Sequence, residues 1–130
     1  MPSAECTIGV IGGGQLALML GEAAQMRGLK LAVQAAKAQD PAVSLANELV
    51  IASSTDVSGT KELSNHCVGI TFENEWVAVD ALMPLERQGV QFTPSLASLV
   101  PLVNKLTQRR LLDDLLIPSP DWISLAELNP

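Results

Sequence analysis

The fold of this chain is decided near its start by the stretch CTIGVIGGGQLA, residues 6–17. An apolar, β-branched run stops there at three consecutive glycines, and a helix-period pattern continues from Gln15 to Gly28. This order predicts a strand, a tight turn and a helix N-terminus. Because the first N–H groups of a helix lack partners and carry the positive end of its dipole, we expect the turn at 12–15 to hold a phosphate or sulfate, or to face a solvent-filled cleft. The alternative is that the glycines only allow the strand and the helix to pack closely.

The spacing Gly12-x-Gly14-x-x-Ala17 satisfies the loose dinucleotide fingerprint G-x-G-x-x-G/A. A nicotinamide site also requires an acid at the end of the second strand, where it holds the ribose hydroxyls. The predicted second strand, residues 29–35, ends in Gln34 and alanines, and Asp40 comes late enough to open a turn instead. A nicotinamide-binding Rossmann domain therefore remains an alternative that lacks one of its required residues.

The composition is that of one globular domain without a membrane anchor. Its 130 residues are 48% hydrophobic and carry a formal net charge of −6, which argues against nucleic acid as a partner. No apolar run approaches the ~18 residues of a membrane-spanning helix, and the first residues lack a signal peptide pattern, so we expect a cytoplasmic protein. Cys6 and Cys67 are expected to be small buried hydrophobes and His66 to end a helix, since none has metal-ligand spacing.

Strands and helices alternate along the whole sequence. This order predicts an α/β fold with a three-layer α/β/α arrangement and a parallel sheet, whose strand order is 3-2-1-4 with a fifth strand outside the fourth. Strands are predicted at 29–35, 49–52, 68–72, 90–92 and 121–125, and helices at 56–65, 74–87 and 102–116 in addition to the first helix.

Two charged residues stand out at positions where ligands bind in such sheets. Glu73 follows the fourth strand, which we expect beside the first, so its carboxylate is placed to hold a ligand hydroxyl or amine near the glycine turn. The alternative is a helix N-terminal charge with Asn74 as the cap. Lys105, Arg109 and Asp113 share one face of the last helix, and periodicity alone predicts a solvated face with an Arg109–Asp113 contact.

Three motifs in the expected order resemble the N5-carboxyaminoimidazole ribonucleotide synthase family of the ATP-grasp superfamily. They are IGVIGGGQL at 8–16, ITFENE at 70–75 and NKLTQRRLL at 104–112 followed by LIPSP at 116–120. The resemblance covers nearly the whole chain and implies a pre-ATP-grasp domain, a Rossmann-like fold at the N-terminus of these ligases. Residues 1–117 would form that domain, and 118–130 would lead into a central ATP-grasp domain.

The resemblance also implies a reaction. ATP phosphorylates bicarbonate to carboxyphosphate, and the amine of aminoimidazole ribonucleotide then takes the carboxyl group, as a step of purine biosynthesis. Mg²⁺ would be held by residues outside this chain, the complete enzyme would be a homodimer, and this part alone would be inert. The residues implied to face the substrate are Gly13, Gly14, Gln15, Leu16 and Glu73, and the residue implied to reach the ATP phosphates is Lys105.

The sequence departs from the family pattern at three places. Asn104 stands where an acid is common, Trp76 alters the end of the second motif, and Gln34-Ala35 replaces a frequent Asp-Pro. The alternatives are another ATP-grasp carboxylase or transformylase, the nicotinamide-binding domain, and a non-catalytic interaction module with an exposed apolar surface.

Overall fold

The structure is a computed structural model that describes residues 6–128. Four strands alternate with five helices and two short 3₁₀ segments over this range. In chain order they are β1 Thr7–Ile11, α1 Gln15–Gln25, β2 Lys30–Ala35, the 3₁₀ segment Pro41–Leu45, β3 Glu48–Ile51, α2 Val57–Ser64, β4 Gly69–Phe72, α3 Val79–Arg87, α4 Leu96–Leu99, α5 Lys105–Asp114 and the 3₁₀ segment Leu125–Glu127.

The sheet is parallel, with the strand order β3-β2-β1-β4, which confirms the predicted order. Residues 90–92, predicted as the fifth strand, lie outside β4 as expected but do not form a strand. Their pairing is reduced to one parallel bridge between Ile70 and Phe92 on the outer side of β4. The ladder stops after Thr93 donates to Ile70 O, because the next residue, Pro94, has no N–H to continue it.

Each face of the sheet is covered by its own apolar core, which confirms the three layers. On one face, Ile11, Val50 and Ile70 pack with α2, α3 and α4. On the other, Val10 and Val33 pack with Ala17 of α1 and Ala42 of the first 3₁₀ segment. The central strands β1 and β2 are covered on both faces, which explains why their sequences are apolar without clear alternation, whereas the edge strand β3 is mostly exposed.

Two predicted helices begin later than expected. Asn74 does not cap a helix: its Oδ1 accepts the N–H of Trp76 in a local turn, and α3 begins only at Val79. The last helix begins at Lys105 because Asn104 caps it, accepting the N–H groups of Leu106 and Thr107. The short helix α4, capped by its preceding serine, was not predicted. The second helix is confirmed with Asp56 as its cap.

The segment 121–125 is not a strand. Trp122 Nε1 donates to Asp113 Oδ2 at 3.0 Å, so the segment lies on α5 rather than at the sheet. This contact also replaces the predicted Arg109–Asp113 contact, since the ion pairs among residues 6–128 do not include Arg109. Within the described range no helix has the length and apolarity needed to cross a bilayer.

The cysteines are less buried than predicted. Cys6 and Cys67 are both free and only half-buried. Partial burial raises the pKa of the Cys67 thiol, which donates to Leu63 O. His66 lies just past Asn65, the C-cap of α2, and its N–H donates to Leu63 O, as expected of a residue at the end of a helix.

Candidate functional site

The glycine turn lies at the carboxyl end of β1, between the central strand and α1. Gly12 has φ +107°, a left-handed conformation that disfavours side chains, and its N–H donates to Gln34 O at 2.9 Å. Gly14 is the residue before α1, and no side chain of the helix's own first turn caps it. The turn is thus bonded to β2 through Gly12, while the N–H of Gly14 is left without a partner from α1 itself.

Glu73 fills the open side of this turn. Since β4 pairs with β1, the N–H of Glu73 donates to Ile11 O at 2.9 Å, which brings the side chain to the glycines. Its Oε2 accepts the N–H of Gly14 at 3.0 Å. A Cβ atom on Gly12 or Gly14 would clash with this carboxylate. The glycines therefore serve the close approach of a side chain, and the acid lies beside the turn as predicted.

The expectation of a bound phosphate or sulfate is wrong for Gly14, because its N–H is already taken by Glu73. A pocket of about 210 Å³ lies beside the turn, but the N–H groups of Gly12 and Gly14 are bonded to Gln34 O and to Glu73 instead of being left for that cleft. Its walls are the ends of β1 and β2 and the loops after β3 and β4, namely Gly12, Gly13, Gly14, Gln34, Ala36, Asp40, Ser54, Glu73 and Asn74. Parallel strands bring their carboxyl ends to one edge, so these loops meet there.

Sequence reasoning missed three polar residues of this pocket: Asp40, Ser54 and Asn74. Asp40 was assigned to a turn, and its Oδ2 does accept the N–H of Lys37 at 3.1 Å. Ser54 Oγ donates to the carbonyl of Trp76 at 2.9 Å, which ties the loop after β3 to the loop after β4. The available signal was their place just after the strands, at the edge where ligands bind in such folds.

Gln34 occupies the position where a nicotinamide site has its acid, but its side chain points into the core. It is fully buried, and its Nε2 donates to Ser53 O at 2.7 Å and to Asp56 O at 3.2 Å. Its Oε1 accepts the hydroxyl of Thr60 at 2.9 Å. These contacts hold the loop between β3 and α2 and Thr60 of α2 itself, so this side chain is not available to a ribose.

Gln15 and Leu16 lie next to the pocket on the first turn of α1. Both are exposed, with 56% of Leu16 accessible, and neither lines the pocket wall. The structure therefore brings Gly13, Gly14 and Glu73 together and leaves the two helix residues at the rim.

Lys105 lies apart from the glycine pocket, at the start of α5. Its Nζ is 3.1 Å from Glu75 Oε1, and 71% of the side chain is exposed. The pKa of Glu75 is held below its usual value, first by the hydrogen bond from its own backbone N–H and then by Lys105. Because Glu75 lies two residues after Glu73, the loop after β4 connects the glycine pocket with the lysine.

No group of three or more His, Cys, Asp or Glu side chains in residues 6–128 is arranged to hold a metal ion. Asn104, whose role the sequence left open, serves as the cap of α5.

A parallel sheet of this order, with a glycine turn at its carboxyl edge, defines an α/β domain of the Rossmann-like class. Residues 5–101 match the ribonucleotide synthetase preATP-grasp domain family, and the chain belongs to that family. This agrees with the family resemblance carried by the three sequence motifs.

Several proteins of known type are similar to the chain. The N5-carboxyaminoimidazole ribonucleotide synthase of Synechocystis sp. is 49% identical over 122 residues, which is 94% of this chain and 31% of that protein. The N5-carboxyaminoimidazole ribonucleotide synthetase of Thermotoga maritima has a TM-score of 0.79 and 29% identity, over 89% of this chain and 32% of its own. The Aspergillus clavatus synthase, in complex with ADP and 5-aminoimidazole ribonucleotide, has a TM-score of 0.77 and 29% identity, over 90% and 31%. The chain thus spans about a third of the length of these relatives.

Proposed function

We propose that this chain is the N-terminal domain of an ATP-dependent ligase that carboxylates aminoimidazole ribonucleotide with bicarbonate, giving N5-carboxyaminoimidazole ribonucleotide in purine biosynthesis. The observation that carries the proposal is the 49% identity to the Synechocystis synthase over 94% of the chain. The complex of the Aspergillus relative with ADP and 5-aminoimidazole ribonucleotide supports both ligand classes. The nicotinamide alternative loses support because Gln34 is fully buried and bonded to the protein.

The substrate side of the proposed site is the glycine pocket. Gly13, Gly14 and Glu73 line it, and Gln15 and Leu16 stand at its rim on α1. Glu73 presents a carboxylate that a ligand amine or hydroxyl can donate to, and the absence of side chains on Gly12 and Gly14 leaves the room that this carboxylate occupies.

The ATP side of the proposed site is Lys105. A lysine is a flexible point charge that can follow phosphates as a cleft closes. Its side chain is mostly exposed and contacts Glu75, so the phosphates would have to compete with that carboxylate. Such an exposed pair is weak enough to exchange for a stronger charge-assisted contact.

The proposed enzyme has further parts besides the glycine pocket and Lys105. Mg²⁺ would bind to ligands in further domains, and residues 118–130 would link this domain to the central one. We propose a homodimer located in the cytoplasm for the complete enzyme. The present domain alone would be inert, since phosphoryl transfer requires metal ions and a phosphate clamp together.

The test uses the complete reading frame that contains this chain. We expect ADP release that requires aminoimidazole ribonucleotide and bicarbonate together, and none from residues 1–130 alone. ADP release with glycinamide ribonucleotide and formate in their place would assign the protein to the transformylases instead. Activity that depends on a nicotinamide cofactor and not on ATP would contradict the proposal altogether.

Lys105→Ala in the complete enzyme tests the ATP role. We expect the KM for ATP to rise about tenfold or more, since a charge-assisted contact is worth roughly 1.5–3 kcal/mol. Stability should change by less than ~0.5 kcal/mol, because the side chain is exposed. Lys61→Ala, at an exposed lysine in the last turn of α2, is the matched control and should change neither quantity. An unchanged KM for ATP would show that Lys105 does not bind ATP and is only part of the solvated face of α5.

A further inference from the structure

The N-terminus of α1 receives its negative charge from a distant part of the chain. No acidic residue lies in the first turn of α1, and Gly14 has no side chain to cap it. Glu73, 59 residues further along the sequence, supplies the missing acceptor through Oε2 at 3.0 Å from the Gly14 N–H. A helix N-terminus that carries no charge of its own would otherwise attract an anion from solution.

The shape of the turn fits this carboxylate closely. Space for Oε1 and Oε2 exists only because residues 12 and 14 lack a Cβ atom, and the backbone bond of Glu73 to Ile11 fixes the main chain from which the side chain reaches the turn. A phosphate at the same place would have to remove the carboxylate from the Gly14 N–H and then remain beside its negative charge.

We propose that Glu73 is a specificity-determining residue that keeps phosphate groups out of the glycine turn. The turn then accepts a ligand through neutral or cationic donor groups, and the phosphates of ATP and of the ribonucleotide bind elsewhere. This inference rests on the proposed function only for the identity of those ligands, since the exclusion itself follows from the contact between Glu73 and Gly14.

The experiment is a titration of the 130-residue chain with inorganic phosphate, followed by the backbone amide signals of Gly13, Gly14 and Gln15 in ¹H–¹⁵N spectra. The variants are Glu73→Ala and Glu73→Gln. Glu75→Gln is the matched control, because it removes a nearby carboxylate that does not touch the turn. In the wild type and the control we expect no saturable shift of these signals.

In Glu73→Ala we expect a saturable shift confined to the turn, with phosphate bound at least about tenfold more tightly than in the wild type, a change equivalent to ~1.4 kcal/mol. Glu73→Gln keeps the shape and an acceptor while losing the charge, so it should also bind phosphate more tightly than the wild type. It therefore serves as the test variant if Glu73→Ala fails to fold. A merely structural role would lower the melting temperature and leave phosphate binding unchanged.

Equal phosphate binding in the wild type and both variants would overturn the inference, as would folded variants that gain none. The phosphate titration does not involve the ligase reaction. A complete enzyme without activity on aminoimidazole ribonucleotide would therefore refute the proposed function and leave the role of Glu73 in excluding phosphate standing.

Discussion

Gln34→Glu is a sharp test of how the end of β2 is built, because it restores the acid that a dinucleotide site would require. In this structure the new carboxylate would replace an amide nitrogen that donates to Ser53 O and Asp56 O in a fully buried place. Two lost donors cost about 1 kcal/mol each. An uncompensated buried charge adds about 3–5 kcal/mol. The total of roughly 5–7 kcal/mol is comparable with the whole stability of a domain, which is about 5–15 kcal/mol.

The cost should depend strongly on pH. Burial and the two facing carbonyls raise the pKa of the new carboxyl in the folded state above its value in the unfolded chain, about 4.3. The charge penalty is therefore absent below that value and grows as the pH rises through neutrality. Urea unfolding followed by circular dichroism at pH 4 and pH 7, each compared with the wild type, measures this dependence.

Gln34→Met is the control without a charge: it removes the two hydrogen bonds that the amide donates and, in addition, the one that it accepts from Thr60. It should lower the free energy of unfolding by about 3 kcal/mol at both pH values. If Gln34→Glu costs less than about 1 kcal/mol at pH 7, the carboxylate has reached solvent and the burial argument fails. The end of β2 would then be available to a ribose, and the dinucleotide alternative would regain support.

The remaining predictions concern the two ends of the loop after β4 and the cap of α5. Gly14→Ala should lower the free energy of unfolding by about 1–2 kcal/mol because it displaces the Glu73 carboxylate, but by less than ~0.5 kcal/mol when Glu73 is already alanine. Urea unfolding measures both values, and effects that simply add in the double variant would refute this coupling. Asn104→Ala should lower the free energy of unfolding by about 1 kcal/mol, while Asn104→Asp should leave it unchanged because aspartate also caps helices. Equal melting temperatures of the two variants would show that the cap does not stabilise α5. The Glu75 carboxyl should titrate below its ordinary pKa by NMR, and Lys105→Ala should raise that pKa only in part, because the hydrogen bond from the backbone N–H is the larger cause. Any stability from this contact is present above the pKa of the unfolded chain and is lost as the pH falls through the lower folded pKa; an unchanged Glu75 pKa in Lys105→Ala would contradict the contact.

Some elements were predicted wrongly because the same residues favour two different local structures. Asn74 and Asn104 are both residues that cap helices, yet only Asn104 does so, while Asn74 closes a turn with Trp76. The two outcomes use the same side-chain chemistry, so pattern alone cannot choose between them. The apolar stretch at 121–125 likewise has strand character, but Trp122 finds its partner on α5, and no sheet edge receives the segment.

The sequence by itself determined the layered α/β architecture, the parallel strand order and the place of the glycine turn. These depend on apolar periodicity and on turn residues, which act over a few neighbouring positions. It also placed Glu73 near the turn, since strands one and four meet at the reversal of the sheet.

Only the tertiary structure decided what those residues do there. It decided that Glu73 occupies the glycine turn, that Gln34 turns into the core, and that Lys105 contacts Glu75. Each of these contacts joins residues between 19 and 59 positions apart. Their formation depends on side-chain direction and on the space left by neighbours, and no local pattern in the sequence records either quantity.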